Sequence, residues 1–292
     1  MLRRLLALLL CLAPADALAQ AMQCSVPSVL PRPQIVAPTA KEPRRMLPIG
    51  GYTLALSWSP QHCSTVYSAF DPKDDFQCKG RNGRFGFILH GLWPDGVGAD
   101  WPQYCRPAAL VPREVIAQTL CVTPSVQLIQ HEWAKHGTCT ATRPELYFTL
   151  ARTFYQTIRY PDMAKLARQP DLTVGAFIQA FVGMNKGLRA DMIGVRTTRG
   201  AWLDELWLCM DRRMDYARCP TNKPGVDVMS VLRIEPGPAF APPRAAPSPA
   251  LSEKRKATPK PDAKAQAQPR RRPGLILDLD PKVQPLTNSS AK

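Results

Sequence analysis

Nine cysteines run from Cys11 to Cys219, and the number kept in the mature chain decides what it can fold into. The N-terminus answers that question. Met1 to Arg4 gives a positive start, Leu5 to Ala13 an apolar run too short to span a bilayer, and Ala17-Leu18-Ala19 a small-x-small cleavage site. This is the anatomy of a secretory signal peptide over residues 1–19. Its removal takes Cys11 and leaves Cys24, Cys63, Cys78, Cys105, Cys121, Cys139, Cys209 and Cys219. An even number in an exported chain points to disulfides, because the compartment is oxidising. Spacing alone does not choose among roughly a hundred ways of pairing eight cysteines. No Cys-x-x-Cys pair occurs, which argues against zinc ribbons and thioredoxin-like redox chemistry. Beyond the N-terminus no apolar run reaches the ~18 residues of a membrane-spanning helix. The expected location is secreted or periplasmic, with no transmembrane segment.

Charge divides the rest of the chain. The formal net charge is +15 over 292 residues, which predicts an anionic partner without naming it. From Pro236 to Lys292 prolines and alanines alternate with basic clusters such as Lys254-Arg255-Lys256 and Arg270-Arg271-Arg272. With 11 basic and 4 acidic residues, this tail cannot bury enough apolar surface to offset its ordering entropy. It is expected to be a disordered basic arm that contacts RNA or an anionic envelope. A second Pro-rich stretch, Pro27 to Pro48, lies within an N-terminal segment of residues 20–50. The folded domain is expected over residues 51–235.

Within that domain, alternation predicts strands at Gly51–Trp58, Arg84–Leu89, Asp191–Thr197 and Ala201–Met210, the second ending at His90. Helical spacing predicts helices at Pro112–Leu120, Ser125–His136, Arg143–Ile158 and Leu172–Val182, with Gly137 as the C-cap of the second. Strands and helices mix without a βαβ rhythm, so the class is α+β rather than a doubly wound sheet.

The chain has only four histidines. His62 reads as a loop residue in Ser59-Pro60-Gln61-His62-Cys63. His90 ends the second strand. His131 and His136 share a helix with Glu132 and Lys135, and at about 100° per residue these four positions fall within roughly 140° of arc. The zinc-protease helix, His-Glu-x-x-His, needs an interval of four between its histidines. Here the interval is five and Lys135 takes the place of the second ligand, an electrostatically wrong neighbour for Zn²⁺. No metal site is expected.

Two imidazoles, a lysine and a carboxylate suit phosphoryl chemistry on an anion. Cationic groups stabilise charge on a phosphorane while two other groups move protons. RNA brings its own nucleophile, the 2′-hydroxyl, which DNA lacks.

The segments Leu89-His90-Gly91-Leu92-Trp93-Pro94-Asp95 and His131-Glu132-Trp133-Ala134-Lys135-His136-Gly137-Thr138-Cys139 resemble the two active-site segments of the ribonuclease T2 family. The similarity extends from about Gly51 to Ile234, through Tyr52–Pro60 and Trp207–Asp211. It implies a central, mostly antiparallel sheet with helices packed around it and disulfides stabilising it. It also implies a monomeric, metal-independent endoribonuclease of low base specificity acting on single-stranded RNA through a 2′,3′-cyclic phosphate. His90 would be the general acid and His136 the general base. His131 would bind the phosphate, Glu132 and Lys135 would assist transition-state charge, and Trp93, Asp95 and Trp101 would form a base site. The same resemblance implies bridges Cys105–Cys139, Cys209–Cys219 and Cys63–Cys78, leaving Cys24 with Cys121. Two other classes compete: a catalytically weak RNA-binding protein on the same fold, and an envelope binder working through its tail.

Overall fold

The structure is a computed structural model. It describes residues 24–66, 74–221 and 225–237. The expected signal peptide and nearly all of the expected basic arm lie outside the described residues.

Four strands form one antiparallel sheet: β1 (Ile49–Trp58), β2 (Phe87–Gly96), β3 (Ile193–Thr197) and β4 (Leu203–Met210). The spatial order is β2-β1-β4-β3. β1 is central, and its side chains are buried on both faces from Gly51 to Leu56. Around the sheet lie α1 (Ser59–Val66), α2 (Asp75–Cys78), α3 (Arg113–Thr119), α4 (Val126–Glu132), α5 (Thr138–Thr140), α6 (Pro144–Thr157), α7 (Met163–Ala167) and α8 (Val174–Met184). Leu54, Leu56, Trp58, Phe87, Leu89 and Leu92 from the sheet meet Tyr147, Tyr155, Phe177 and Phe181 from the helices in one core. Among the described residues no helix is long and apolar enough to cross a membrane.

β2 is an edge strand, and an open edge leaves backbone groups unpaired. Here the helical layer satisfies them. Leu89 donates its N–H to the Val122 carbonyl at 2.8 Å, and its own carbonyl accepts from the Thr123 hydroxyl. The Tyr147 hydroxyl donates to the Leu92 carbonyl and accepts from the Leu92 N–H. Tyr155 donates to the Phe87 carbonyl at 2.7 Å. Because its edge is used this way, β2 tolerates Pro94, which brings no N–H, and continues past His90 to Gly96. The expectation that this strand ends at His90 is therefore corrected.

Three other readings change. Residues 59–63 are the start of α1 rather than a loop, and His62 pairs with Asp74 at 3.1 Å. Residues 191–192 belong to a 3₁₀ turn before β3. The helix expected over 125–136 begins as drawn, with the Ser125 hydroxyl capping the Leu128 N–H. After Glu132, however, it widens into a π turn over Trp133–Gly137 and then closes into α5. Gly137 has helical torsions (φ −62°, ψ −38°), so it is not a C-cap.

Among the described residues four disulfides cross-link the chain, Cys24–Cys121, Cys63–Cys78, Cys105–Cys139 and Cys209–Cys219, over sequence separations of 97, 15, 34 and 10. Bridges of this kind stabilise a fold by ~2–4 kcal/mol each. The N-terminal segment is strapped across the helical side. Arg45 and Gln103 exchange backbone hydrogen bonds at 3.0 Å, Gln103 donates its side-chain amide to the Pro43 carbonyl, and Arg44 donates to the Cys105 carbonyl.

Candidate active site

A cleft of about 450 Å³ is lined by His90, Trp93, Pro94, Trp101, His131, Glu132, Lys135, His136, Arg196 and Trp207. Its two halves come from the sheet and from the helical layer.

On the sheet side a register shift places His90. Leu56 pairs with Leu89 and Ala55 with Gly91, so His90 is the extra residue of a β-bulge. A bulge re-aims one side chain without breaking the strand. His90 Nδ1 lies 2.6 Å from Glu205 Oε1. Ser57 donates its hydroxyl to the same oxygen at 3.0 Å and lies 3.0 Å from Nδ1. Glu205 Oε2 accepts from the Trp207 indole N–H at 2.8 Å. The carboxylate thus keeps the proton on Nδ1 and leaves Nε2 to face the cleft, 3.6 Å from Glu132 Oε1. Burial alone would lower His90, but the Glu205 hydrogen bond and the charges of Glu132, Glu205 and Asp204 outweigh it and raise its pKa. Burial alone would raise Glu205; its hydrogen bonds from His90, Trp207 and Ser57, with the His90 charge, hold it below its ordinary range.

On the helical side the π turn sets the spacing. Its i→i+5 bonding is seen where Thr138 donates its N–H to the Trp133 carbonyl, and the extra residue in this turn leaves both His131 and His136 lining the cleft. His131 and His136 are five apart. Glu132 is buried and accepts the Trp93 indole N–H at 2.8 Å. Burial pushes its carboxyl up to about 7, against the opposing charges of His90 and Lys135 and the Trp93 hydrogen bond. Gly91 makes this approach possible: a Cβ there would sit 1.9 Å from Glu132 Oε2. His131 is lowered, by burial first and then by the Lys135 charge.

Trp93 stands between the two halves. Its ring centroid is 5.1 Å from His90 and 5.5 Å from His136. Trp101 sits at the rim, 37% exposed, with the Arg45 guanidinium 4.6 Å from its ring centroid. Asp95 does not line this cleft. It is buried, accepts from the Thr53 hydroxyl at 2.7 Å, and borders a neighbouring cleft near Gly50 and Arg218.

Sequence reasoning missed Glu205, Ser57, Arg196, Trp207 and Glu42. Glu205 and Trp207 had a signal: they share one face of a mostly apolar strand at i, i+2. Glu42 had none. It reaches Lys135 at 2.6 Å from 93 positions away, accepts from the Tyr104 hydroxyl, and is held below its ordinary range chiefly by the Lys135 hydrogen bond. Among the described residues no group of three or more His, Cys, Asp and Glu is arranged to hold a metal ion.

Comparison with known proteins matches residues 49–219 to the ribonuclease T2 family. A probable ribonuclease of Haemophilus influenzae is 32% identical over 187 residues, covering 60% of this chain and 62% of that protein. A ribonuclease of Aeromonas hydrophila is 38% identical over 105 residues, covering 36% and 44%. The chain therefore spans less than two thirds of the length of either relative. Among solved structures, an RNase-related protein from Calystegia sepium superposes with a TM-score of 0.50 at 19% identity, over 64% of this chain and 98% of that one. RNase NT in complex with 5′-AMP gives 0.50 at 21% identity over the same shares. At such identities the likeness shows the fold. With the match running from Ile49 to Cys219, a stretch that carries all four strands and both histidine segments, the chain belongs to the ribonuclease T2 family.

Proposed function

We propose that the protein is an exported, metal-independent endoribonuclease that cleaves single-stranded RNA by 2′-hydroxyl transphosphorylation. The observation that carries this reading is the convergence of His90 and His136 on either side of Trp93, with Lys135, His131 and Glu132 in the same cleft. His136 takes the proton of the 2′-hydroxyl, and the oxygen attacks phosphorus. His90 gives its Nε2 proton to the 5′-oxygen as the P–O5′ bond breaks. The products are a 2′,3′-cyclic phosphate and a free 5′-hydroxyl. Water then reverses the roles: it adds to phosphorus, His90 takes its proton, and His136 protonates the departing 2′-oxygen. Lys135 and His131 stabilise the phosphorane charge, and Glu132 places the Trp93 indole and faces His90.

The raised pKa of His90 supports its role as the acid, since the protonated form persists to higher pH. Indole walls at Trp93 and Trp101 support stacking with little base preference. The leader-like N-terminus and four disulfides support export. The basic composition of residues 236–292 supports a salt-dependent contribution to RNA affinity. Deleting those residues should weaken RNA binding at low salt, and unchanged affinity rejects that role.

The deciding experiment is digestion of single-stranded RNA in EDTA beside a 2′-deoxy oligomer. Cleavage of RNA alone, with transient 2′,3′-cyclic phosphate ends seen by ³¹P NMR, is the expected result. Cleavage of the deoxy oligomer, or loss of activity in EDTA, overturns the mechanism.

A further inference from the structure

Two groups that line the cleft take no part in the chemistry above: Arg196 of β3 and Trp207 of β4. In the β3–β4 register Arg196 stands opposite Glu205, and Trp207 stands opposite Gly194. Cross-strand partners and residues two apart along a strand share a face, so Arg196, Glu205 and Trp207 lie together. The Trp207 indole packs beside β3, and the Arg196 guanidinium carbon rests 4.8 Å from its ring centroid.

This pair is tied to the catalytic centre through one carboxylate. Glu205 holds His90 with one oxygen and the Trp207 indole N–H with the other. The Trp207 ring also packs edge-on against Trp93 at 5.8 Å. Arg196 is exposed, while the indole below it is half-buried and fixed. Stacking on an indole orients a guanidinium plane, so its N–H groups are presented in a fixed direction. Planar guanidinium forks match phosphate oxygens.

The polarity of the reaction says which anion that is. His90 protonates the 5′-oxygen, so the departing nucleoside leaves on the sheet side of the cleft. In an RNA chain that nucleoside carries the next phosphodiester on its 3′-oxygen, one ribose away. We propose that Arg196, stacked on Trp207, is a subsite for the phosphate immediately downstream of the scissile one, so that the enzyme favours RNA chains over dinucleotides. This rests on the transphosphorylation reading and on His90 as its acid.

The test uses substrates with a single 2′-hydroxyl, which confines cleavage to one bond. A dinucleotide, rN-p-dN, has only the scissile phosphate. A trinucleotide, rN-p-dN-p-dN, adds one phosphate downstream, and dN-p-rN-p-dN adds one upstream, leaving the phosphate 3′ to the ribonucleotide as the cleavable one. At low salt the native enzyme should show a kcat/KM about tenfold higher for rN-p-dN-p-dN than for rN-p-dN. Arg196→Gln should bring that ratio close to one, and Arg196→Lys should keep part of it. The dN-p-rN-p-dN to rN-p-dN ratio should be the same in native and Arg196→Gln enzyme. The slope of log kcat/KM against log salt on the downstream-extended substrate should fall by about one in Arg196→Gln. A guanidinium that only offset Asp204 and Glu205 would change all substrates by one factor, and that result overturns the subsite while leaving the catalytic reading intact. Failure of the native protein to cleave any of the three overturns both. Unchanged thermal melting of the two variants establishes that they are folded.

Discussion

On the sheet side of the cleft, position is fixed by hydrogen bonds. His90 is held at Nδ1 by Glu205, which is itself held by Ser57 and Trp207. On the helical side, position is fixed mainly by backbone geometry and packing. A π turn sets the interval between His131 and His136, Cys105–Cys139 ties the end of that turn to the loop carrying Trp101, and Gly137 packs against Trp133 and Tyr147. The two carboxylates flanking His90 show the same contrast. Glu205, rich in donors, is lowered, while Glu132, buried with few, is raised to about 7. The proposed roles match this contrast: hydrogen bonds fix the orientation and proton position that an acid needs, and backbone geometry fixes the shape that a phosphate cradle needs.

The comparison breaks at once if the halves are not both needed. His90→Ala and His136→Ala should each lower kcat by about 10³-fold on RNA, the scale of lost acid–base catalysis. A much smaller effect in either removes that residue from proton transfer. Glu205→Gln sharpens the hydrogen-bonded half. It should lower kcat by roughly 10- to 100-fold, because the amide no longer enforces the tautomer or the charge. The sign of the pH effect follows from His90. Its pKa is raised in part by Glu205, and on the proposed mechanism its active form is protonated, so the basic limb of the pH–rate profile should move to lower pH in the variant. A limb that stays in place would separate Glu205 from the acid.

Glu132→Gln tests the packed half in two ways. Activity should fall by about tenfold through its contacts with Trp93 and His90. Stability should move oppositely. The folded carboxyl titrates near 7 against an ordinary 4.5, so the native state binds the extra proton between those values, and native stability falls as pH rises through that window. At pH 8 the amide should therefore be more stable than the native protein by about 1–3 kcal/mol, and equal to it near pH 4, as read by urea titration. The smallest expected effect is at the strap. Glu42→Gln removes a carboxylate 2.6 Å from Lys135, so RNA should meet a less neutralised ammonium and KM should drop about threefold at low salt. An unchanged KM would show that Glu42 does not compete with phosphate.

How much of this was written in local sequence depends on the reach of each interaction. The helices of residues 113–119, 144–157 and 174–184 were legible because apolar periodicity is local. So were the two histidine segments. The continuation of β2 through Gly91 and Pro94 was not, because both residues read as breakers until the strand's edge position and the Glu132 approach are known. The π turn escaped because a spacing of 100° per residue assumes an α-helix from the start. Glu205 acts on His90 across 115 positions and Glu42 on Lys135 across 93, distances at which pattern carries no information.

The π turn also sets how this chain can change by insertion and deletion. Loss of one residue within Trp133–Lys135 would restore a regular α-helix, with an intact core pattern upstream. It would also swing His136 by about 100° away from Trp93. A point substitution there leaves something for selection to repair, whereas a single-codon deletion removes the geometry itself. The interval of five between the histidines therefore acts as one geometric unit, which a change of length in the loops would leave intact.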